Sequence, residues 1–229
     1  LAEVPITAAP GMDATVVAKS SVFRDWVAEV DSDPVLFIES IHIQSVDMFG
    51  PRVGFVKFKT IAKAQIEHQK VIDVPGTVFM RGGAVGILVI LECDGLEYTI
   101  LTRQARVPIG KHDLPEIPAG MLDGSGNFAG KAAEKIQQEC DIVITADELV
   151  DLTGLVYGDT FRGIVPSAGG CDEYVKLYMV RRSVDQAVLS KLQGRRTGVQ
   201  EEGEHIKLQI IELNDAWHST PDVKALSAL

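Results

Sequence analysis

The amino-acid sequence predicts a mixed α/β (α+β) fold, and three observations carry that expectation. Runs of β-branched and aromatic residues recur on both sides of one amphipathic helical stretch, Phe128–Cys140. The order is strands, that central helix, more strands and then helices, without the regular strand–helix alternation of a doubly wound parallel sheet. Finally, 46% of the 229 residues are hydrophobic and 24% are charged, which is the balance of a chain that buries a core rather than a disordered one.

Taken in order, an N-terminal arm leads into a short helix over Ser21–Val30, where Val22, Trp26 and Val27 share one face. Val35–Ile43 and Val53–Thr60 read as strands joined by a loop, Gln44–Arg52, that carries the turn pair Gly50-Pro51. Val71–Gly76 reads as a link, which divides the chain into an N-terminal helix and β-rich region over 1–75 and a larger domain over 76–229. In the larger domain Val85–Cys93 reads as a buried strand, Asp94-Gly95 as a turn and Glu97–Thr102 as the hairpin partner. A stretch punctuated by Pro and Gly, Pro108–Gly126, precedes the helix, whose apolar stripe is Phe128, Ala132, Ala133, Ile136 and Cys140. Strands are expected at Leu149–Val156, Tyr174–Val180 and Ile206–Ile211, with short helices at Val184–Leu192 and Asp222–Leu229.

Charge and motif spacing exclude several functions. With 22 Lys+Arg against 32 Asp+Glu the formal charge is −10, which argues against nucleic acid as the partner, since that affinity needs clustered cations. The longest apolar run, Ala84–Leu91, is broken by Gly86 and falls far short of the ~20 residues a membrane-spanning helix requires. Three scattered cysteines form no CxxC pair and five histidines show no HExxH spacing, so no zinc pattern is present and a reducing compartment is expected. The glycines of Gly124-Ser-Gly-Asn-Phe-Ala-Gly130 fall at the wrong spacing for a dinucleotide fingerprint. Neither a phosphate-loop motif nor a GxSxG elbow occurs.

The stretch Glu116–Ile142 is the informative one. It runs Glu-Ile-Pro-Ala-Gly-Met-Leu-Asp, then a glycine-rich turn, then Lys131-Ala-Ala-Glu-Lys-Ile-Gln-Gln-Glu139-Cys-Asp-Ile142. It resembles a Nudix box, G-x5-E-x7-R-E-U-x-E-E-x-G-U with U a bulky aliphatic, whose apolar skeleton fits at Ile136 and Ile142. Val46-Asp-Met-Phe-Gly50, Gly54-Phe-Val-Lys-Phe-Lys59, Arg106-Val-Pro108 and Ser167-Ala-Gly-Gly-Cys-Asp-Glu173 extend the likeness. Together they resemble plant-type ADP-sugar diphosphatases of the Nudix superfamily over nearly the whole chain. The resemblance implies a Nudix αβα sandwich with a small N-terminal β-rich region, which relatives use to form homodimers.

A Nudix helix places carboxylates at i, i+3 and i+4, so that one face offers anionic oxygen to Mg²⁺. Here those positions are Lys135, Gln138 and Glu139, and only Glu139 is a carboxylate. The box arginine falls on Glu134, its first glutamate on Gly126 and its second glycine on Asp141. A bland reading of this face makes Lys135 with Glu139 a solvated ion pair and Glu134 with Gln138 an ordinary surface pair. By resemblance, the backbone carbonyl of Ala119 and the carboxylate of Glu139 are the remaining metal positions. Glu173 is the candidate general base. Arg106, with Gln104 and Arg103, lies near the substrate phosphates, a role suited to the planar guanidinium fork. Ala168 stands where the family has proline.

Two functions of different class follow. In the first, the chain is a degenerate Nudix domain that has lost hydrolysis and serves as a binding or structural subunit of a larger assembly, with no cofactor. In the second, it remains a Mg²⁺-dependent diphosphatase that splits ADP-glucose or ADP-ribose to AMP and a sugar phosphate. The expected ligand is a nucleotide sugar, and a homodimer or a larger complex the expected partner state. The plastid setting of the relatives, with Leu rather than Met at position 1, gives the expectation of a processed organellar protein.

Overall fold

The structure, a computed structural model, describes residues 3–67, 70–122, 127–140, 142–198 and 205–229. Its contacts separate two compact units, Leu1–Gly82 with Ser167–Glu173, and Gly83–Pro166 with Tyr174–Leu229.

The first unit contains β1 (Ile6–Ala8), α1 (Ala14–Ala18), α2 (Ser21–Ser32), β2 (Leu36–Phe49), β3 (Arg52–Gln65), β4 (Val71–Val74) and β5 (Thr77–Met80). The sheet order is β1-β2-β3-β4, with β5 also pairing β3. The Ser20 side chain caps α2 by accepting the Phe23 N–H. Phe23, Ile41, Ile43, Val56, Phe58 and Met80 are buried, with the Trp26 ring edge-on to Phe58 at 5.0 Å. The expected loop Gln44–Arg52 is corrected: β2 runs on to Phe49, and only Gly50-Pro51 turns, with Gly50 at φ 59°. Val46, Met48 and Phe49 are good strand formers opposite Val56, Val53 and Arg52, and three register shifts absorb the polar interruptions. Val71–Val74 pairs with β3 as a strand rather than serving as a bare link. Residues 77–82 go with this unit because β5 pairs β3. The Ser167–Glu173 segment joins it too, where Phe79 N–H donates to Gly170 O at 2.7 Å.

The second unit contains β6 (Ala84–Cys93), β7 (Leu96–Arg106), β8 (Lys111–Glu116), β9 (Ala119–Met121), α3 (Phe128–Cys140), β10 (Val150–Asp151) and α4 (Leu152–Tyr157). It continues with β11 (Val175–Ser183), α5 (Gln186–Leu192), β12 (Arg196–Thr197), β13 (Ile206–Glu212), α6 (Ala216–Ser219) and α7 (Val223–Ala228). The sheet order is β10-β11-β6-β7-β13-β12, with β8 on β7 and β9 on β6. Strand β6 is buried on both faces. Val85, Ile87, Val89 and Leu91 join Ala132, Ile136 and Cys140 of α3, while Ala84, Leu88 and Ile90 join Ala225 of α7. This helix–sheet–helix layering is the expected αβα sandwich. The β6–β7 turn places Asp94 at φ 51° and Gly95 at φ 80°, the paired positive φ of a tight hairpin.

The expected strand Leu149–Val156 is corrected to two strand residues followed by α4. Asp151 stops the strand and caps the helix, accepting Gly154 N–H at 2.7 Å, so the capping residue overrides the apolar run.

Candidate functional site

Helix α3 carries the face on which the sequence analysis turns. Ala132, Ile136 and Cys140 face the core, and this rotation sets where Lys135, Gln138 and Glu139 go. Glu139 is only 2% exposed, and its Oε2 accepts the Ala119 backbone N–H at 3.3 Å. The expectation of a solvated Lys135–Glu139 pair is therefore corrected, because the carboxylate lies against the backbone of β9 and away from water. Lys135 is half-buried, with its methylene stem lying on Gly120: a Cβ built there would come within 2.5–2.7 Å of Lys135 Cγ, Cδ and Cε. On the outer side Gln138 Nε2 donates to Glu134 Oε1 at 2.8 Å, the expected surface pair, and Lys131 Nζ lies 2.9 Å from Glu134 Oε2. The Lys131 ammonium, above all, holds the Glu134 carboxyl below its ordinary range. Gly126 and Asp141 lie outside the described residues.

The segment Glu116–Gly120 joins β8 to β9, and a charged cluster fixes its near end. Glu116 is buried and accepts Arg106 Nε at 2.6 Å and Lys224 Nζ at 3.1 Å. Lys224 also bonds Asp222 Oδ1 at 2.7 Å, and Asp222 Oδ2 accepts Ile117 N–H at 3.1 Å. The Thr220 hydroxyl donates to Pro115 O at 2.6 Å and accepts Asp222 N–H at 3.0 Å. Two cations thus meet two anions, and the N-terminus of α7 is tied to the motif. Arg106 keeps 42% of its side chain exposed while its Nε serves Glu116. Arg103 is committed elsewhere: its Nε and Nη2 fork onto Asp113 at 2.9 and 2.7 Å, and its Nη1 reaches Gln209 at 2.7 Å. Gln104 is half-buried opposite Leu114 of β8. Sequence reasoning missed Lys224 and Asp222 as partners of the motif. Their only signal was an Asp at a helix start, which marks a cap and names no partner.

Glu173 belongs to the first unit. Its Oε1 lies 3.4 Å from Arg81 Nε, and its side chain is 17% exposed. Arg81 also sits over the Phe55 ring at 5.8 Å. The neighbouring Asp172 accepts the Arg81 and Gly82 N–H groups at 2.7 and 3.2 Å. Burial pushes the Asp172 carboxyl up, against the lowering effect of those two donors. The loop closes on Ser167, whose carbonyl accepts Gly170 and Cys171 N–H at 3.2 and 3.0 Å, so backbone bonds hold the turn at Ala168. The structure therefore joins Ala119 to Glu139, Arg106 to Glu116 and Glu173 to Arg81.

No family model matches the chain. A relative, Nudix hydrolase 14, chloroplastic, of Arabidopsis thaliana, is 42% identical over 217 residues, covering 92% of this chain and 69% of the relative. The chain belongs to the Nudix hydrolase family. Among solved structures, an ADP compounds hydrolase superposes with a TM-score of 0.53 at 10% identity, over 86% of this chain and 91% of that one, and shares its fold. A C. elegans Ap4A hydrolase binary complex gives a TM-score of 0.43 at 17% identity, over 64% and 90% of the two chains.

For this Nudix domain a Mg²⁺ cluster on α3 would need several anionic oxygens. The donor set does not fit one. Of the three helix positions only Glu139 is a carboxylate, and one of its oxygens is taken by Ala119 N–H. A Lys ammonium ~4 Å from a divalent ion would be repelled by about 8 kcal/mol at an effective dielectric of ~20 before the side chain swings away. Among the described residues, no group of three or more His, Cys, Asp or Glu side chains is placed to hold a metal ion. No helix among those residues is long and apolar enough to cross a membrane.

Proposed function

We propose that this chain is a Nudix domain impaired in hydrolysis, which holds a nucleotide sugar or a related nucleoside diphosphate and acts as a binding or structural subunit of a larger assembly. The observation that carries the reading is the α3 face, where Lys135 and Gln138 occupy ligand positions and Glu139 is buried on the Ala119 N–H. The proposed ligand contacts are Arg106, half-exposed beside Glu116, and Gln104. The proposed residual metal positions are Glu139 and the Ala119 carbonyl. The solved neighbour acts on ADP compounds and the Arabidopsis relative is chloroplastic; both support, by analogy, an ADP-type ligand and a plastid setting. The β-rich first unit is the proposed surface for a homodimer.

A second reading is favoured by the 42% identity to a named hydrolase and by the retention of Glu139 and Glu173. In it the chain is a Mg²⁺-dependent ADP-sugar diphosphatase, with Glu173 as general base for the attacking water and Arg81 beside it. Incubation with ADP-glucose and Mg²⁺ or Mn²⁺, scored by AMP release, separates the two. Impairment predicts release at least a hundredfold slower than from an active ADP-sugar hydrolase assayed in parallel, and turnover within tenfold of it overturns the first reading.

A further inference from the structure

On the side of the second unit's sheet away from α3, α6 and α7 border a groove of about 410 Å³. We infer that this groove is a binding site for an organic amine, a single ammonium carried on an apolar body. Its occupancy and the function proposed above stand or fall separately, because the groove shares no residue with the α3 face.

The lining argues for the apolar body. Leu88, Ile90 and Met179 of β6 and β11 form the floor, while Leu213, Trp217 and Ala228 stand around it. The strand register explains the floor: Leu88 pairs with Met179 and Ile90 with Arg181, so these side chains share one face of the sheet. An apolar hollow of this volume with a few polar groups at one end is the usual form of a small-molecule site. Trp217 keeps 64% of its surface exposed, so the chain itself leaves much of the indole uncovered. The polar end then decides the charge of the occupant. Among the described residues that line the groove, Arg181 is the one cation, and its Nη1 already serves Glu92 at 2.7 Å and Glu97 as well. Asp215 follows the lining residue Asn214, with its Oδ1 3.3 Å from His218 Nε2. With His218 neutral, one guanidinium stands against three carboxylates, so this end is acidic in spite of its arginine.

Three kinds of occupant respond differently to that field. An anion is repelled, which turns a diphosphate away from the groove. A neutral apolar molecule gains from displacing water over the floor and gains nothing from the carboxylates. An amine gains from both, and its ammonium has the Trp217 indole, the best aromatic partner for a cation, beside the acidic end. Glu92 and Glu97 are exposed, so the charge preference is sensitive to salt.

Titration calorimetry on the full chain at neutral pH and low ionic strength tests this with 4-phenylbutylamine, 4-phenylbutan-1-ol and 4-phenylbutyrate, three probes of similar shape and different charge. The amine is expected to bind about tenfold more tightly than the alcohol and the butyrate to bind most weakly, with amine and alcohol drawing together in high salt. Trp26 and Trp217 are the two tryptophans of the chain, so in a Trp26→Phe background the amine should shift the emission of Trp217. Glu92→Gln with Glu97→Gln frees Arg181 of its carboxylates and is expected to bring the butyrate to within about threefold of the amine. Ala228→Phe fills the groove from α7 and should weaken all three probes, with thermal melts confirming that each variant is folded. An alcohol or butyrate that binds the unaltered chain as tightly as the amine overturns the inference. So does an amine preference that survives the double glutamine variant, or amine binding that leaves Trp217 emission unchanged. If no probe binds, the inference falls, and it falls too if the chain sediments as a dimer that Ala228→Phe dissolves, because a second copy then covers the groove. AMP release judges the proposed impairment in every case.

Discussion

The two faces of the second unit's sheet treat charge in opposite ways. On the α3 side the ligand positions have exchanged anions for an ammonium and an amide, and the carboxylate that is left has turned to the backbone. On the α7 side the buried carboxylates of Glu116 and Asp222 meet Lys224 and the half-exposed Arg106 in a neutral cluster. The difference follows from what each position costs to change. Removing one member of a buried charged set leaves another without compensation, at about 3–5 kcal/mol, whereas an exposed pair such as Glu134 with Gln138 on α3 is worth a few tenths. Under the proposed impairment, the metal-ligand positions are free to change while the cluster that anchors Glu116–Gly120 is kept.

Breaking the cluster should give the largest effect. Lys224→Met leaves Glu116 and Asp222 buried with Arg106 as the remaining cation, and the expected loss is about 3–5 kcal/mol in urea unfolding. Adding Asp222→Asn to that variant removes the stranded charge and should recover part of the loss, since the amide oxygen can still cap α7. A single-variant loss below about 1 kcal/mol would show that the two faces tolerate change alike, because the buried set would then be worth no more than a surface pair.

Restoring the opposite face comes next in size. Lys135→Glu with Gln138→Glu puts carboxylates back at i and i+3 beside Glu139, and the double variant is expected to bind Mg²⁺. Saturating metal at ~100 times its Kd would stabilise the fold by about 2.7 kcal/mol, visible as a rise in Tm that the unaltered chain does not show. Failure of the double variant to respond would place the loss of metal binding in the loops as well as on the helix. Among the described residues, the Glu139–Ala119 bond is where such a change would first be felt.

How far these faces were legible in the sequence depends on range. Helix Phe128–Cys140 was readable to its ends because its 3.6-residue apolar stripe is local, and the β6–β7 hairpin because Asp94-Gly95 is a strong turn pair. Strands β8 and β9 were hidden by Pro115 and Pro118, which lack the N–H that a strand prediction looks for, yet the segment pairs with β7 and β6. At the site, the identities at 135, 138 and 139 were readable from helical spacing alone. Their surroundings were not. Glu139 is buried by a residue 20 positions away, and Glu116 finds its cation 108 positions away, separations that no periodicity encodes. The bland surface reading held for Glu134 with Gln138 and failed for Glu139, because burial is decided by what packs opposite.

The smallest expected effect lies on exposed surface, and it sharpens the contrast by adding pH. Glu148 accepts Thr145 N–H at 2.7 Å and the Thr145 hydroxyl at 3.0 Å in a capping box, and it also receives the Arg182 guanidinium. Those partners, the Thr145 backbone N–H first, lower its pKa from the ordinary 4.5 to about 2. Because the folded value lies below the unfolded one, the stabilisation is fully present above pH 4.5 and is lost as pH falls from there toward 2. Glu148→Gln removes it, so the Tm gap between the unaltered chain and the variant should be constant near neutrality and close steadily below pH 4.5. The Arg182 share should shrink further in high salt, while the Thr145 share persists, since screening weakens an exposed ion pair more than a short backbone hydrogen bond. A gap that stays flat across the acid range would mean that this carboxylate is as freely solvated in the folded chain as in the unfolded one. Small losses on open surface would then carry no pH signature, and acid sensitivity would have to come from buried groups.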